Sequence, residues 1–345
     1  MSTTKQPGET AIMSIDLTTV SPTYAILHDG EKKMVVDNLQ PGTLYQLHGI
    51  AFETLPDLGK ELSRFSTVND VHFGEAECGV TSTSNMGPTY KSDAEDPHPE
   101  FMSRGAVEEM RAIQPEAVLV KGDLTTLGTD TEFQLFLDCY HSAFEEKLYY
   151  VTGNHDAYHE EPIRSETPAR IDLDGVTLAL IDTVRPGLTG GTCYDKDLDW
   201  LDALAESTTQ PILVFGHHQL WDPATPHRSE DYFGIQPDES EKLIGLFARR
   251  PSLRGYFSGH THRNRVRQFD ATGDLPWVEV ACVKDFPGSW AEYRVYDGGI
   301  LQIHHRVSTP QALAWTEKTR DMYNGTYFEY AFGRLSDRCF VVTRN

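Results

Sequence analysis

Leu148-Tyr149-Tyr150-Val151-Thr152-Gly153-Asn154-His155-Asp156 runs a short β-prone stretch straight into residues that can turn, ligate a metal and carry a proton. A short apolar run that ends on a turn signal reads as a strand. The arrangement recurs: Val68 leads into Asn69-Asp70-Val71-His72, Val120 into Lys121-Gly122-Asp123, Phe215 into Gly216-His217-His218, and Phe257 into Ser258-Gly259-His260-Thr261-His262. Helical periodicity fills the gaps over Phe101–Gln114, Thr131–Phe144, Lys196–Glu206 and Glu239–Arg249, with Asp130 and Asp195 or Asp238 as expected N-terminal caps. Strand and helix alternation from Arg64 onward predicts an α/β core. In such sheets the residues just past the carboxyl ends of strands line the ligand crevice, so the five clusters are expected to meet in space.

Outward from this core the pattern changes. Ala11–Leu17, Tyr24–Leu27, Lys33–Val36 and Leu44–Phe52 are short β-prone runs broken by Ser-Pro, Asp-Gly and Pro-Gly, which predicts a small all-β unit over residues 8–62. Within it Leu39-Gln40-Pro41-Gly42-Thr43-Leu44-Tyr45 resembles the turn before a late strand of fibronectin type III sandwiches, where the tyrosine hydroxyl bonds back to the backbone. The unit is too short for a whole sandwich and reads as an accessory fragment. The core is assigned residues 63–308, with strands at Trp277–Val283, Glu292–Tyr296 and Ile300–Val307 and a hairpin turn at Asp297-Gly298-Gly299. Residues 309–345 form a mixed, aromatic C-terminal extension.

The chain has 345 residues, 39% hydrophobic and 24% charged, enough apolar mass to bury a core. Its 30 Lys and Arg against 52 Asp and Glu give a formal charge of -22, and a surface this negative repels polyanions. Nucleic-acid binding and docking on anionic membranes are disfavoured accordingly. Five cysteines at wide spacings, with no CxxC pair, indicate neither a disulfide framework nor a zinc finger. Met1–Thr10 has one lysine and no apolar h-region, and no run approaches the roughly 18 apolar residues of a membrane span, so a cytoplasmic location is expected. Asn324-Gly325-Thr326 is a formal glycosylation sequon that reads as a turn.

Any one Gly-Asp, Gly-His or Asp-x-His is ordinarily a turn or a surface feature. Five in succession at strand ends are not, because burying so many polar groups without a metal is costly. Carboxylate, imidazole and amide donors without thiolate suit two ions such as Fe, Mn, Zn or Co. The glycines at 122, 153, 216 and 259 permit the sharp turns that bring each donor out of its strand.

The ordered set Asp70-x-His72, Gly122-Asp123, Gly153-Asn154-His155-Asp156, Gly216-His217 and Gly259-His260-x-His262 resembles the signature of the calcineurin-like metallophosphoesterases. Asn69-Asp70-Val71-His72-Phe73-Gly74 and Gly153 through Tyr158 are most similar to bacterial class III cyclic-nucleotide phosphodiesterases and their glycerophosphodiesterase relatives. The resemblance implies a four-layer α/β/β/α sandwich and a dinuclear centre. One metal would be held by Asp70, His72 and His262, the other by Asn154, His217 and His260, with Asp123 bridging. A metal-bound hydroxide would attack a small phosphodiester, His155 would assist the leaving group and Asp156 would orient His155. A phosphomonoesterase or a glycerophosphodiesterase is the alternative, the former because the N-terminal β unit also resembles that of purple acid phosphatases. Those carry a tyrosine ligand where this chain has Thr126. A non-catalytic scaffold is disfavoured because His155 and every ligand are present.

Arg249, Arg250, Arg254, Arg263, Arg265 and Arg267 form a basic island in an acidic chain. It reads either as a solvated face or as an anion-steering patch, with Arg263 joining Asn154 at the substrate phosphate. His218 adjoins His217 but points the other way in an extended segment, and is expected to pack behind the ligands. The stretch from Phe73 to Glu100 reads as a loop, over the pocket or inserted. The expected partner is a small phosphoester, with neither nucleic acid nor membrane, and a homo-oligomer is left open.

Overall fold

The computed structural model describes residues 15–80, 86–159, 162–229 and 231–343. Short-range pairing builds its first part. Strands β1 (Asp16–Val20), β2 (Ala25–Asp29) and β3 (Lys32–Val36) form an antiparallel sheet, and β4 (Leu44–Leu47) pairs with β5 (Ile50–Glu53) as a hairpin. Residues 11–14 of the first expected run lie outside the described residues. At the corner before β4, Gln40 N donates to Tyr45 Oη at 2.9 Å.

Alternation follows from β6 (Glu61–Val68). After it come a two-residue ladder of β7 (Glu77–Cys78) and β8 (Tyr90–Lys91), α1 (His98–Ala112), β9 (Ala117–Lys121), α2 (Asp130–Phe144), β10 (Leu148–Val151), β11 (Ala169–Leu173) and β12 (Val176–Leu180). Then come α3 (Asp195–Ser207), β13 (Ile212–Phe215), α4 (Pro237–Arg249), β14 (Leu253–Ser258), β15 (Arg265–Arg267), β16 (Trp277–Glu279), and a long hairpin of β17 (Ser289–Tyr296) and β18 (Gly299–Arg306). The chain closes with α5 (Pro310–Thr319), α6 (Tyr327–Phe332), α7 (Leu335–Arg338) and β19 (Phe340–Val342).

Two six-stranded mixed sheets result, ordered β10-β9-β6-β17-β18-β19 and β11-β12-β13-β14-β16-β15. Alternation along each strand divides its side chains between two layers. On β9, Ala117 and Leu119 join Phe65 and Phe215 between the sheets, while Val118 and Val120 meet Phe101, Met102, Phe136 and Tyr140 of α1 and α2. On β13, Leu213 and Phe215 face the first sheet, while Ile212 and Val214 meet Leu201 of α3 and Leu243 of α4. This is the four-layer α/β/β/α sandwich expected. Strands covered on both faces read as unbroken apolar runs, and each large apolar side chain so buried stabilises by about 1.5–3 kcal/mol. The parallel strands β6, β9 and β10 of one sheet and β13 and β14 of the other end at the same edge of the sandwich, where the five clusters begin.

β18 is covered differently. Ile300 faces the inter-sheet core, whereas Leu301 and Ile303 pack under Leu17, Val20, Ala25 and Leu27, so the N-terminal strands stand where a helix covers the rest of that face. The C-terminal residues are not peripheral either, since β19 pairs with β18 and closes the sheet. The helix caps differ from expectation. Thr129 caps α2, accepting from Glu132 N while Glu132 accepts from Thr129 N; Asp130, Asp195 and Asp238 sit instead in first turns, where the helix dipole favours acids. No helix among the described residues is long and apolar enough to cross a membrane.

Candidate metal centre

Five of the non-glycine positions singled out in the sequence have left-handed backbone: Asp70 (φ 52°), His72 (48°), Asp123 (49°), His260 (66°) and His262 (53°). Each such non-glycine residue costs on the order of 1–3 kcal/mol and persists only where its surroundings fix it. Here the turns brace one another. Asp70 N and His72 N donate to Gly122 O and Asp123 O at 3.0 Å each, Gly259 N donates to His217 O at 2.9 Å, and His260 N donates to the Asp70 carboxylate at 3.0 and 3.1 Å. Packing is close enough to require glycine at 153, where a Cβ would lie 2.2 Å from Asp123 Oδ1 and 2.8 Å from His217 Nε2.

Two groups of donors meet at Asp123. In the first, His72 Nε2 lies 3.5 Å from Asp123 Oδ2 and 3.4 Å from His262 Nε2, which is itself 3.4 Å from Asp70 Oδ1. In the second, His217 Nε2 lies 3.3 Å from Asp123 Oδ2, 3.2 Å from Asn154 Oδ1 and 3.2 Å from His260 Nδ1. All seven expected ligands are thus brought together.

The outer nitrogens decide what the inner ones can be. His217 Nδ1 donates to Lys121 O at 2.8 Å and His260 Nε2 donates to Phe233 O at 2.7 Å. In neutral rings with those protons committed, His217 Nε2 and His260 Nδ1 present lone pairs to each other beside two oxygens. Four acceptors converging on one point fit a cation, and the oxygen and imidazole set fits the ions named above. Without a metal a proton must serve: burial opposes a charged ring at His217, but Asp123 and then Asp70 outweigh it and push the ring up to about 9. Burial likewise opposes charge on Asp123, yet His217 and His155 hold its carboxyl well below the usual range.

His155 stands at the rim of the first group. Its Nδ1 donates to Thr126 O at 2.7 Å, and its ring meets His72 edge-on at 4.6 Å. The direct contact expected from Asp156 does not form. The Asp156 carboxylate instead accepts from Gly153 N (2.8 Å), Leu124 N (3.1 Å), Thr125 N (2.9 Å) and Thr125 Oγ1 (2.6 Å). Asp156 therefore fixes the turn after Asp123, and the Thr126 carbonyl orients His155. Burial and then Asp123 push Asp156 up to about 6. Thr126 Oγ1 also donates to His72 O at 2.9 Å, so the threonine pair braces both neighbouring turns.

Arg263 requires a second correction. Its Nε donates to Glu279 Oε2 at 2.8 Å and its guanidinium lies over the Tyr330 ring at 5.2 Å, which commits the side chain to β16 and α6 instead of the ligand ring. Much of the island is likewise structural, with Arg250 on Asp202 at 2.6 Å, Arg254 on Thr343 O at 2.9 Å and Arg267 on Glu279 at 3.3 Å. His218 takes the backing place expected of it: Nδ1 pairs with Thr183 Oγ1 at 2.9 Å, Nε2 with Thr189 O at 3.1 Å, and its ring lies 4.6 Å from that of His260.

Two contributions were missed. Tyr158 Oη accepts from Asn154 Nδ2 at 2.6 Å, which aims the amide oxygen at His217; its place two residues past Asp156 was the available signal. Behind the first group, Lys284 Nζ bridges Glu75 Oε1 and Asp285 Oδ2 at 2.8 Å each, and nothing in the spacing of those residues announces it.

The four layers and the paired donor groups define a two-metal α/β sandwich. Residues 64–264 match the model of the calcineurin-like phosphoesterase family, and the chain belongs to that family. It is 30% identical over 169 residues to a glycerophosphodiester phosphodiesterase of Enterobacter lignolyticus, an alignment covering 45% of this chain and 59% of that one. It is 27% identical over 195 residues to a 3',5'-cyclic adenosine monophosphate phosphodiesterase of Pseudomonas aeruginosa, covering 53% and 68%. The match thus spans under two thirds of the first relative. A dimetal phosphatase from Danio rerio shares the fold, with a TM-score of 0.55 at 14% identity over 72% of this chain and 97% of that one.

Proposed function

We propose that the chain hydrolyses small phosphodiesters, 3',5'-cyclic nucleotides first among them. The observation that carries this is the convergence of Asp123 Oδ2, Asn154 Oδ1, His217 Nε2 and His260 Nδ1, all four of them acceptors when both rings are neutral. In this reading Asp70, His72 and His262 hold one ion, Asn154, His217 and His260 the other, and Asp123 both. Two ions held there would supply positive charge for a phosphoryl group and lower the pKa of a bound water. The remaining work falls to the chain. His155, oriented through the Nδ1 hydrogen bond to Thr126 O, has a proton at Nε2 to give the departing alcohol when its ring is charged. Asn154 is neutral where a third carboxylate would cancel the charge that attracts phosphate. The braced left-handed turns hold these groups in place before substrate arrives, which spares reorganisation during the reaction. A cytoplasmic setting belongs to the same reading, supported by five free cysteines.

A glycerophosphodiester is the second reading, favoured by the similarity to the Enterobacter lignolyticus protein. The test is an assay of the metal-loaded chain on cyclic AMP, glycerophosphoethanolamine, a linear dinucleotide and a phosphomonoester. Cyclic AMP is expected to be turned over best. Preference for glycerophosphoethanolamine selects the second reading, preference for the monoester contradicts both, and no turnover of any of the four leaves a scaffold.

A further inference from the structure

Glu75 follows His72 by three residues and turns back against it. Its backbone N donates to His72 O at 3.0 Å, closing a turn through Gly74, whose φ of 92° suits glycine. The turn sends the Glu75 side chain inward, only 15% exposed, with Oε2 3.9 Å from His72 Nδ1. We infer that Glu75 is a positioning residue of the metal centre, the acceptor for the His72 Nδ1–H, and that it keeps His72 Nε2 turned into the ligand ring. The inference rests on the two-metal reading of that ring and adds a residue outside the seven ligands.

The second group of donors shows what His72 lacks. A neutral imidazole that offers one nitrogen to a cation carries its proton on the other, and a buried N–H needs an acceptor. His217 Nδ1 has Lys121 O at 2.8 Å and His260 Nε2 has Phe233 O at 2.7 Å. His72 Nε2 lies in the ring, 3.5 Å from Asp123 Oδ2 and 3.4 Å from His262 Nε2, so its proton belongs on Nδ1. That nitrogen is buried and has no hydrogen-bond partner. The group that faces it is the Glu75 carboxylate, and a shift of about 1 Å brings the two within hydrogen-bond distance. A carboxylate in this place orients the ring and makes its other nitrogen a stronger donor to a cation than a carbonyl partner would.

Lys284 holds the carboxylate in that place. Its ammonium, on a side chain 5% exposed, bridges Glu75 Oε1 and Asp285 Oδ2 at 2.8 Å each, and Asp285 Oδ1 accepts from Tyr327 Oη at 2.7 Å. Trp315 Nε1 donates to Lys284 O at 2.9 Å and fixes the lysine's backbone from α5. A buried charge held by several hydrogen bonds has little freedom to move, so Glu75 meets His72 from a fixed base. Glu75, Cys78 and His98 also bring ligand atoms within 4.8 Å of one another, Cys78 Sγ lying 3.3 Å and Glu75 Oε1 3.4 Å from His98 Nε2. That trio does not make a further metal site, because the Lys284 ammonium already supplies the positive charge at Glu75.

The experiment titrates the metal-stripped full chain with manganese by calorimetry, in the parent and in two double variants that remove Glu75 and Lys284 together, so that the ammonium is not left buried without Glu75. Glu75→Leu with Lys284→Met deletes the acceptor and should weaken one of the two ions about 10–100-fold, the usual effect of losing the outer partner of a ligating histidine, with the other ion unchanged. Glu75→Gln with Lys284→Met returns a neutral acceptor and should recover most of that loss. Melting of the metal-free proteins is expected to be alike in the two double variants, which separates positioning from folding. Equal manganese affinity in the parent and the leucine variant, equal weakening in both double variants, or loss of both ions in step with a lower melting temperature overturns the inference and leaves the metal centre standing. A parent that binds no manganese overturns both.

Discussion

The ligand ring and the seam under the N-terminal strands both bury histidines beside charged or carbonyl partners, and they differ in protons. At the seam, Arg338 donates to Thr18 O at 2.8 Å and Leu17 O at 2.9 Å, and His304 faces Thr18 O at 3.1 Å through Nδ1 and Ser289 Oγ at 2.7 Å through Nε2. Both nitrogens of His28 meet hydroxyls, at 2.9 and 3.1 Å, and Arg320 pairs with Asp16. The groups just named are matched there, with Thr19 Oγ1 on β1 left without a partner, and their burial is offset by ordinary hydrogen bonds. In the ring, acceptors face acceptors on strained turns. Burial of histidine alone therefore says little; the deficit of donors marks the site.

The largest effect that sharpens this contrast is expected from Asp123→Ala, which removes the one carboxylate shared by both donor groups. Bound metal and nearly all turnover should be lost, as metal analysis and a diester assay would show; retention of both ions would remove Asp123 from the bridge. His155→Ala should keep the metals and lower kcat by about 10²–10⁴-fold, the usual share of a positioned acid. Equal loss of metal in the two variants would break the division between ligand and acid. At the seam, Arg338→Ala strands the Leu17 and Thr18 carbonyls and should lower stability by about 2–4 kcal/mol in denaturant melts, with metal stoichiometry unchanged in the folded fraction. A metal loss there would show that the two regions are coupled. Arg249→Ala is expected to do least: its pair with Asp202 spans 3.6 Å on an exposed helix end, so stability should move by no more than about 0.5 kcal/mol.

The strand ends were legible because a strand covered on both faces must be apolar, and a chemical residue after it then stands out. Gly153-Asn154-His155-Asp156 and Gly259-His260-Thr261-His262 needed no structure to be noticed. Roles carried by backbone geometry were less legible. Asp156 follows His155 in sequence, yet a tight turn directs its carboxylate to Leu124 and Thr125, leaving His155 to the Thr126 carbonyl. Arg263 follows a ligand, but the strand that begins beyond it carries the side chain to Glu279. The aromatic C-terminal residues gave no period to read, because α6 is only six residues long and its tyrosines act through contact with a loop far away in sequence.

The ring gathers acceptors in excess of donors because it is built for two cations. Equilibrium dialysis of metal-stripped protein against manganese, with metal counted per chain, tests it most directly. Saturation at two ions per chain is the predicted result; saturation at one or none would contradict the account.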